Sequence, residues 1–127
     1  MNILVVDDKT NVGEYISNLL TPLGYNVDTA VNGLDGFEKA QKTSFQLYIV
    51  DHLMPLMNGI TLTKNLKKLP VSANMPVLFM TTKSKDMIEK LPEFKLFDEV
   101  ITKPLNEDNF MSIVNRLLGN TSKEIAV

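Results

Sequence analysis

Ile3-Leu4-Val5-Val6-Asp7-Asp8 and Leu47-Tyr48-Ile49-Val50-Asp51 are the stretches that decide the fold. Each is an unbroken apolar run rich in β-branched residues and leucine rather than an alternating one, the pattern of a strand covered by helices on both faces. Each run closes on carboxylates. A third apolar run, Val100-Ile101, is followed by Lys103-Pro104. In a parallel α/β sheet such strand ends converge at the carboxyl edge, where open folds of this type keep their ligand sites. Asp7, Asp8, Asp51 and Lys103 are therefore expected in one cleft. Carboxylates a few ångströms apart repel one another and raise one another's pKa unless a cation sits among them. A hard divalent ion suits such a notch.

Working outward, Val12, Tyr15, Ile16, Leu19 and Leu20 recur at helical spacing between Asn11 and Leu20, and Pro22 and Gly24 close that segment. Tyr25 to Ala30 reads as a second strand. Asn32-Gly33 marks a turn, after which Leu34, Phe37 and Ala40 outline a second helix. The third strand spans about Gln46 to Val50. A loop with Met54-Pro55 and Asn58-Gly59 leads to a helix carrying Ile60, Leu62, Leu66 and Leu69, with Pro70 as its stop. Pro76 to Met80 is the fourth strand and Asp98 to Thr102 the fifth. Between them Lys85 to Leu91 supports about two turns before Pro92 interferes, so a short or irregular helix is expected there. Phe110, Ile113, Val114, Leu117 and Leu118 stripe a last helix that Gly119 stops. Strands alternating with helices in this way predict a three-layer α/β/α sandwich, because each right-handed crossover helix must lie on a face of a parallel sheet. The expected strand order is 2-1-3-4-5, a flavodoxin-like doubly wound sheet. Residues 1–119 read as one domain and 120–127 as a C-terminal tail.

The chain has 127 residues, enough for one domain with a real core. A formal charge of −2 leaves no broad cationic surface to release counterions from nucleic acid, which speaks against direct DNA binding. There is no cysteine and a single histidine, His52, so disulfides, thiolate chemistry and a zinc site are excluded. Any metal must be bound by oxygen. With the first strand starting near Met1 and no apolar stretch of the ~20 residues that span a bilayer, neither a signal peptide nor membrane insertion is expected. The expected location is the cytoplasm.

A lone strand-end aspartate is as readily a turn former or helix cap as a functional group. The ordered set is more specific: Asp7-Asp8 after strand one, Asp51 after strand three, Thr81-Thr82 after strand four, Lys103-Pro104 after strand five. On these residues the chain, over roughly Asn2 to Leu118, closely resembles the receiver domains of two-component response regulators, especially the single-domain chemotaxis-type members. The resemblance implies that Asp51 is the phosphoacceptor and that Mg²⁺ is held by Asp8 directly, Asp7 often through water, Asp51, and the backbone carbonyl of Leu53. It implies that Lys103 pairs with a phosphoryl oxygen, that the Lys103-Pro104 bond is cis, and that Thr81 turns inward to hydrogen-bond the phosphorylated aspartate. The implied partners are a histidine kinase or phosphotransfer protein and a downstream protein target that the sequence does not name. A protein of this kind assists only its own phosphorylation and dephosphorylation. Met54-Pro55 and Gly59 match the loop after the phosphoacceptor, where a permissive glycine backbone is useful. His52 reads as a loop side chain, not a phosphoacceptor.

Two departures stand out. Many receivers have a tyrosine or phenylalanine three residues before the lysine, whereas Val100 stands here, with one stiff χ1 and no ring to swing. Leu53 and Lys83 occupy positions that border the path of hydrolytic water in the family, and apolar Leu53 cannot orient that water. A longer-lived aspartyl-phosphate than in fast chemotaxis-type switches is the expectation. Val100 also keeps open an alternative, a phosphorylation-independent interaction module on the same fold. Haloacid-dehalogenase-type phosphatases need Asp-x-Asp after strand one, and Lys9 breaks that motif. Flavin phosphate would be repelled by Asp7-Asp8.

Overall fold

The runs ending in Asp7 and Asp51 pair side by side at the centre of a wholly parallel sheet. The computed structural model describes residues 1–119, and the tail expected over 120–127 lies outside the described residues. The strands are β1 (Asn2–Val6), β2 (Asn26–Ala30), β3 (Leu47–Asp51), β4 (Val77–Thr81) and β5 (Glu99–Thr102), in the order β2-β1-β3-β4-β5. They alternate with α1 (Thr10–Leu20), α2 (Gly33–Lys42), α3 (Gly59–Leu66), α4 (Lys85–Glu89) and α5 (Glu107–Leu117). This is the three-layer sandwich expected from the sequence.

Side chains alternate across a strand, so each central strand feeds two cores. Ile3, Val5, Leu47, Ile49, Leu78 and Met80 pack with Ile16 and Leu20 of α1 and with Phe110, Ile113 and Val114 of α5. Leu4, Val6, Tyr48, Val50, Val77 and Phe79 pack instead with Leu62 and Leu66 of α3, Ile88 of α4, and Phe97. Because both of their faces are covered, the inner strands β1, β3 and β4 have no polar alternation to show, which is why their sequences are largely continuous apolar runs. Each such leucine, valine or phenylalanine contributes on the order of 1.5–3 kcal/mol by leaving water. Four helix starts are tied down by side chains: Asn32, Asn58, Ser84 and Asn106 each accept a hydrogen bond from the backbone N–H three residues on. Caps of this kind are typically worth about 1 kcal/mol each.

Two segments depart from the spacing. The third helix ends at Leu66, a turn earlier than the stripe through Leu69 predicts. The N–H that would close the helix onto the Leu66 carbonyl belongs to position 70, which is proline and has none. The Leu69 N–H, at 3.2 Å, and the buried Ser72 hydroxyl donate to that carbonyl in its place, turning the chain back toward β4. Beyond α4, which is a single short helix, Pro92–Leu96 form a 3-10 turn. In the loop after β3, Leu56 has φ 70 and is 78% exposed. A left-handed backbone costs a side-chain-bearing residue about 1–2 kcal/mol, part of which glycine returns as unfolded-state entropy. Leu56→Gly is expected to raise the free energy of unfolding by about 0.5–1 kcal/mol in urea titrations; a loss of stability would show that the leucine side chain makes a compensating contact. Among the described residues no helix is long and apolar enough to cross a membrane.

Candidate functional site

Strand register assembles the acidic cleft. Val6 pairs with Val50, so the next residues, Asp7 and Asp51, lie side by side just past the paired ends. Thr81 pairs with Thr102, and the Lys103 N–H extends that ladder to the Thr81 carbonyl at 2.8 Å. Alternation carries Asp7, Asp51 and Lys103 to the α1/α5 side, in step with Val5, Ile49 and Ile101. The Lys103 Nζ meets both carboxylates there, Asp7 Oδ2 at 2.8 Å and Asp51 Oδ1 at 3.0 Å. The other Asp7 oxygen accepts the Lys9 N–H at 2.8 Å, so both are engaged. Asp8 differs: its Oδ1 is buried and has no hydrogen-bond partner among the described residues. Asp7, Asp8 and Asp51 each place one oxygen within 4.8 Å of the others. The Lys103-Pro104 peptide is cis.

Charge and burial compete at this spot. Burial raises the Asp51 carboxyl above the usual range; the Lys103 bond pulls it down, and the Asp7 and Asp8 charges push it up again, leaving it raised. For Lys103 burial alone disfavours the ammonium, but its bonds to Asp7 and Asp51 outweigh that and hold its pKa above the ordinary value. One cation is thus shared by two buried carboxylates, while the third, Asp8, is paired with none among the described residues.

The rim of the cleft, a space of about 180 Å³, is formed by Lys9, Val12, Asp51, His52, Leu53, Thr82 and Lys103. The Leu53 side chain is 54% exposed. Thr81 is fully buried, and its hydroxyl accepts the Lys83 N–H at 3.0 Å and is bonded to His52 Nδ1 at 2.9 Å. His52 therefore does not behave as a loose loop side chain. Its N–H continues the β3–β4 ladder to the Met80 carbonyl at 2.9 Å, and its ring lies against Phe79 with centroids 5.1 Å apart. Burial first, and then the nearby Lys83 charge, lower its pKa and favour the neutral ring. The signal that finds this contact is register: Asp51 pairs with Met80, which sets His52 opposite Thr81. Val100 is buried in the same core as Phe79, Ile88 and Phe97. Gly59 is where it is for space, not for an unusual backbone angle, since a Cβ there would lie 2.1 Å from the Asp51 carbonyl oxygen.

The profile of the response regulator receiver domain family matches residues 3–115, and the chain belongs to that family. The probable transcriptional regulator ycf29 of Porphyra purpurea is 33% identical over 95% of this chain and 58% of its own length. A CpxR homolog of Haemophilus influenzae, a transcriptional regulatory protein, is 32% identical over 94% of this chain and 51% of its own. The chain thus spans about half the length of the curated relatives it matches. Among solved structures, the chemotaxis protein CheY4 of Vibrio cholerae superposes with a TM-score of 0.84 at 29% identity, covering 91% of this chain and 97% of CheY4. The response regulator TrrA of Thermotoga maritima, solved with Mg²⁺-BeF, gives 0.82 at 28% identity, with 91% and 97% covered. The protein is a receiver domain of the two-component response regulator type.

Proposed function

We propose that Asp51 accepts a phosphoryl group from a histidine kinase or phosphotransfer protein, with Mg²⁺ as the required cofactor, and that this changes a surface presented to a downstream protein. The observation that carries the reading is the position of the Asp51 carboxylate: on the rim of an open cleft, 3.0 Å from Lys103 and grouped with an acid pair. The donor set is all oxygen, which suits a hard cation that keeps octahedral geometry and several waters. The unpartnered, buried Oδ1 of Asp8 is the residue atom most in want of one. Asp8, Asp51 and the Leu53 carbonyl would hold the ion, with Asp7 acting through water because its own oxygens are engaged. When bound, such an ion supplies positive charge against which phosphoryl oxygens and carboxylates can be brought together. That TrrA was solved with Mg²⁺-BeF supports the same assignment here.

The chain's own groups have separable tasks. An Asp51 carboxylate oxygen forms the new P–O bond as the donor's P–N bond breaks, giving a mixed anhydride. Lys103, already held between Asp7 and Asp51, is placed to follow a phosphoryl oxygen with its flexible ammonium. Next to the cleft, sharing Val12 and Lys103 with it, lies a groove of about 430 Å³ completed by Asn11, Tyr15, Pro104 and Leu105. A donor protein has to cover this side to deliver its phosphoryl group. The chain acts on itself rather than on a separate substrate, and a cytoplasmic location accompanies that role.

Acetyl phosphate with Mg²⁺, read by intact mass, tests the reading. Wild type is expected to gain one phosphoryl group, whereas Asp51→Ala gains none and Asp8→Ala or EDTA suppresses uptake. Labelling that persists in Asp51→Ala would remove Asp51 from the role. Absence of any labelling or beryllofluoride binding in the wild type would favour the phosphorylation-independent module.

A further inference from the structure

We propose that His52 is a positioning residue for Thr81: it holds the Thr81 hydroxyl on the α3/α4 face of the sheet, so that a phosphoryl group on Asp51 must compete with His52 for it. The proposal rests on Asp51 being the phosphoacceptor.

The geometry follows from side-chain parity. Asp51 pairs with Met80, and the His52 N–H to the Met80 carbonyl extends the ladder by one step, which sets His52 across from Thr81. Tyr48, Val50 and His52 alternate onto one face, as do Val77, Phe79 and Thr81, whereas Asp51 belongs to the other. The Thr81 hydroxyl is thus on the opposite side of the sheet edge from the carboxylate cluster. A fully buried hydroxyl needs its hydrogen bonds. Lys83 supplies a donor, its N–H pointing at Oγ1. The arrangement that uses every hydrogen has Thr81 donating its own proton to Nδ1 of His52, an assignment made from the bonding network. Thr81 has no further proton with which to bond a phosphoryl oxygen. It must leave His52 to do so.

The His52 ring is itself fixed in place. It packs on Phe79, and Phe79 stacks face to face on Phe97 with centroids 3.9 Å apart and planes 9° apart. Phe97 and Val100 in turn line a small pocket between α4 and β5. A ring that answers to the Thr81 hydroxyl is therefore present in this chain, at the residue just after β3 rather than at position 100.

Beryllofluoride titrations with Mg²⁺ on the full chain test the proposal through three variants. His52→Phe keeps a ring against Phe79 but has no acceptor, and is expected to bind beryllofluoride about two- to tenfold more tightly, the worth of one hydrogen bond. His52→Asn, whose Oδ1 stands near the place of Nδ1, is expected to stay close to wild type. In a Thr81→Val background His52→Phe is expected to make no difference. An unchanged affinity in His52→Phe, or a gain that survives Thr81→Val, overturns the proposal. A measurement on the wild type guards against a variant that fails to fold: His52 is the only histidine, so its Nδ1 nitrogen resonance is unambiguous. That resonance should shift from the hydrogen-bonded toward the free value when beryllofluoride binds, and a bound state with an unmoved Nδ1 signal also refutes the role. Failure of wild type to bind beryllofluoride at all is a separate result, since it removes the phosphoacceptor reading and this inference with it.

Discussion

Gly59→Ala is expected to lower the free energy of unfolding by about 2–4 kcal/mol and to impair phosphoryl uptake with it. A methyl group at position 59 would lie 2.1 Å from the Asp51 carbonyl oxygen, 2.9 Å from its carbon and 3.1 Å from the Phe79 ring. The first two are backbone atoms, so no rotamer change relieves the overlap. The first turn of α3 is also drawn in by the Gly59 N–H, which donates to the His52 carbonyl at 2.8 Å. Any accommodation must push α3 away from β3 or displace the Asp51 backbone, and the second route moves the carboxylate relative to Lys103. Gly13→Ala is a fitting control, because a Cβ there meets only the Thr29 side chain, at ordinary distances of 3.5 and 3.8 Å, and alanine is the better helix former. Urea unfolding of both variants decides the matter. Equal stabilities for the two would mean that the close approach of α3 to β3 is not what position 59 is for.

The parts of the fold that the sequence discloses are those whose cause is local or periodic. β1 and β3 are legible because burial on both faces forces continuous apolar runs. The stripes of α1 and α5 are legible because each helix has a single face toward the sheet. The end of α3 is less so. Pro70 points to a stop, but the Leu66 carbonyl that loses its helical donor is one turn upstream, and it is met instead by the Leu69 N–H and the Ser72 hydroxyl. At the site, the strand-end rule brings Asp7, Asp8, Asp51 and Lys103 to one edge. It does not say that Lys103 reaches back across 96 positions to Asp7, because that contact depends on the register of three strands. The same holds for the contact between His52 and Thr81: the strand-end pattern marks Thr81, but His52 becomes its neighbour only once Asp51 is set opposite Met80. Gly59 shows a different gap: its residue type was readable, but its reason is a close backbone approach that no local pattern encodes.

Lys103→Met should cost about 2–4 kcal/mol in EDTA, and Mg²⁺ should return more of that loss to the variant than it adds to wild type. Methionine keeps the apolar stem and deletes the charge. The Asp7 side chain is fully buried and that of Asp51 only 8% exposed, so removing their shared ammonium strands two carboxylates in poor solvent. Asp51 can escape part of the penalty by taking up a proton, since its pKa is already raised by burial and by its acidic neighbours; this keeps the loss below that of a sealed ion pair. A divalent ion bound by Asp8 and Asp51 would compensate the same charges from the other side, which is why its effect is larger where the lysine is missing. Lys103→Arg is not a rescue, because a planar guanidinium cannot occupy the point between two oxygens 2.8 and 3.0 Å away as an ammonium does. Stability and function then separate. With Mg²⁺ present the Met variant should be folded yet take up little phosphoryl group from acetyl phosphate, because the ion restores charge balance but not the ammonium that follows the arriving oxygen. Should Lys103→Met in EDTA unfold within about 1 kcal/mol of wild type, the two ion pairs would be no more than surface contacts, and the electrostatic account of this cleft would have to be abandoned.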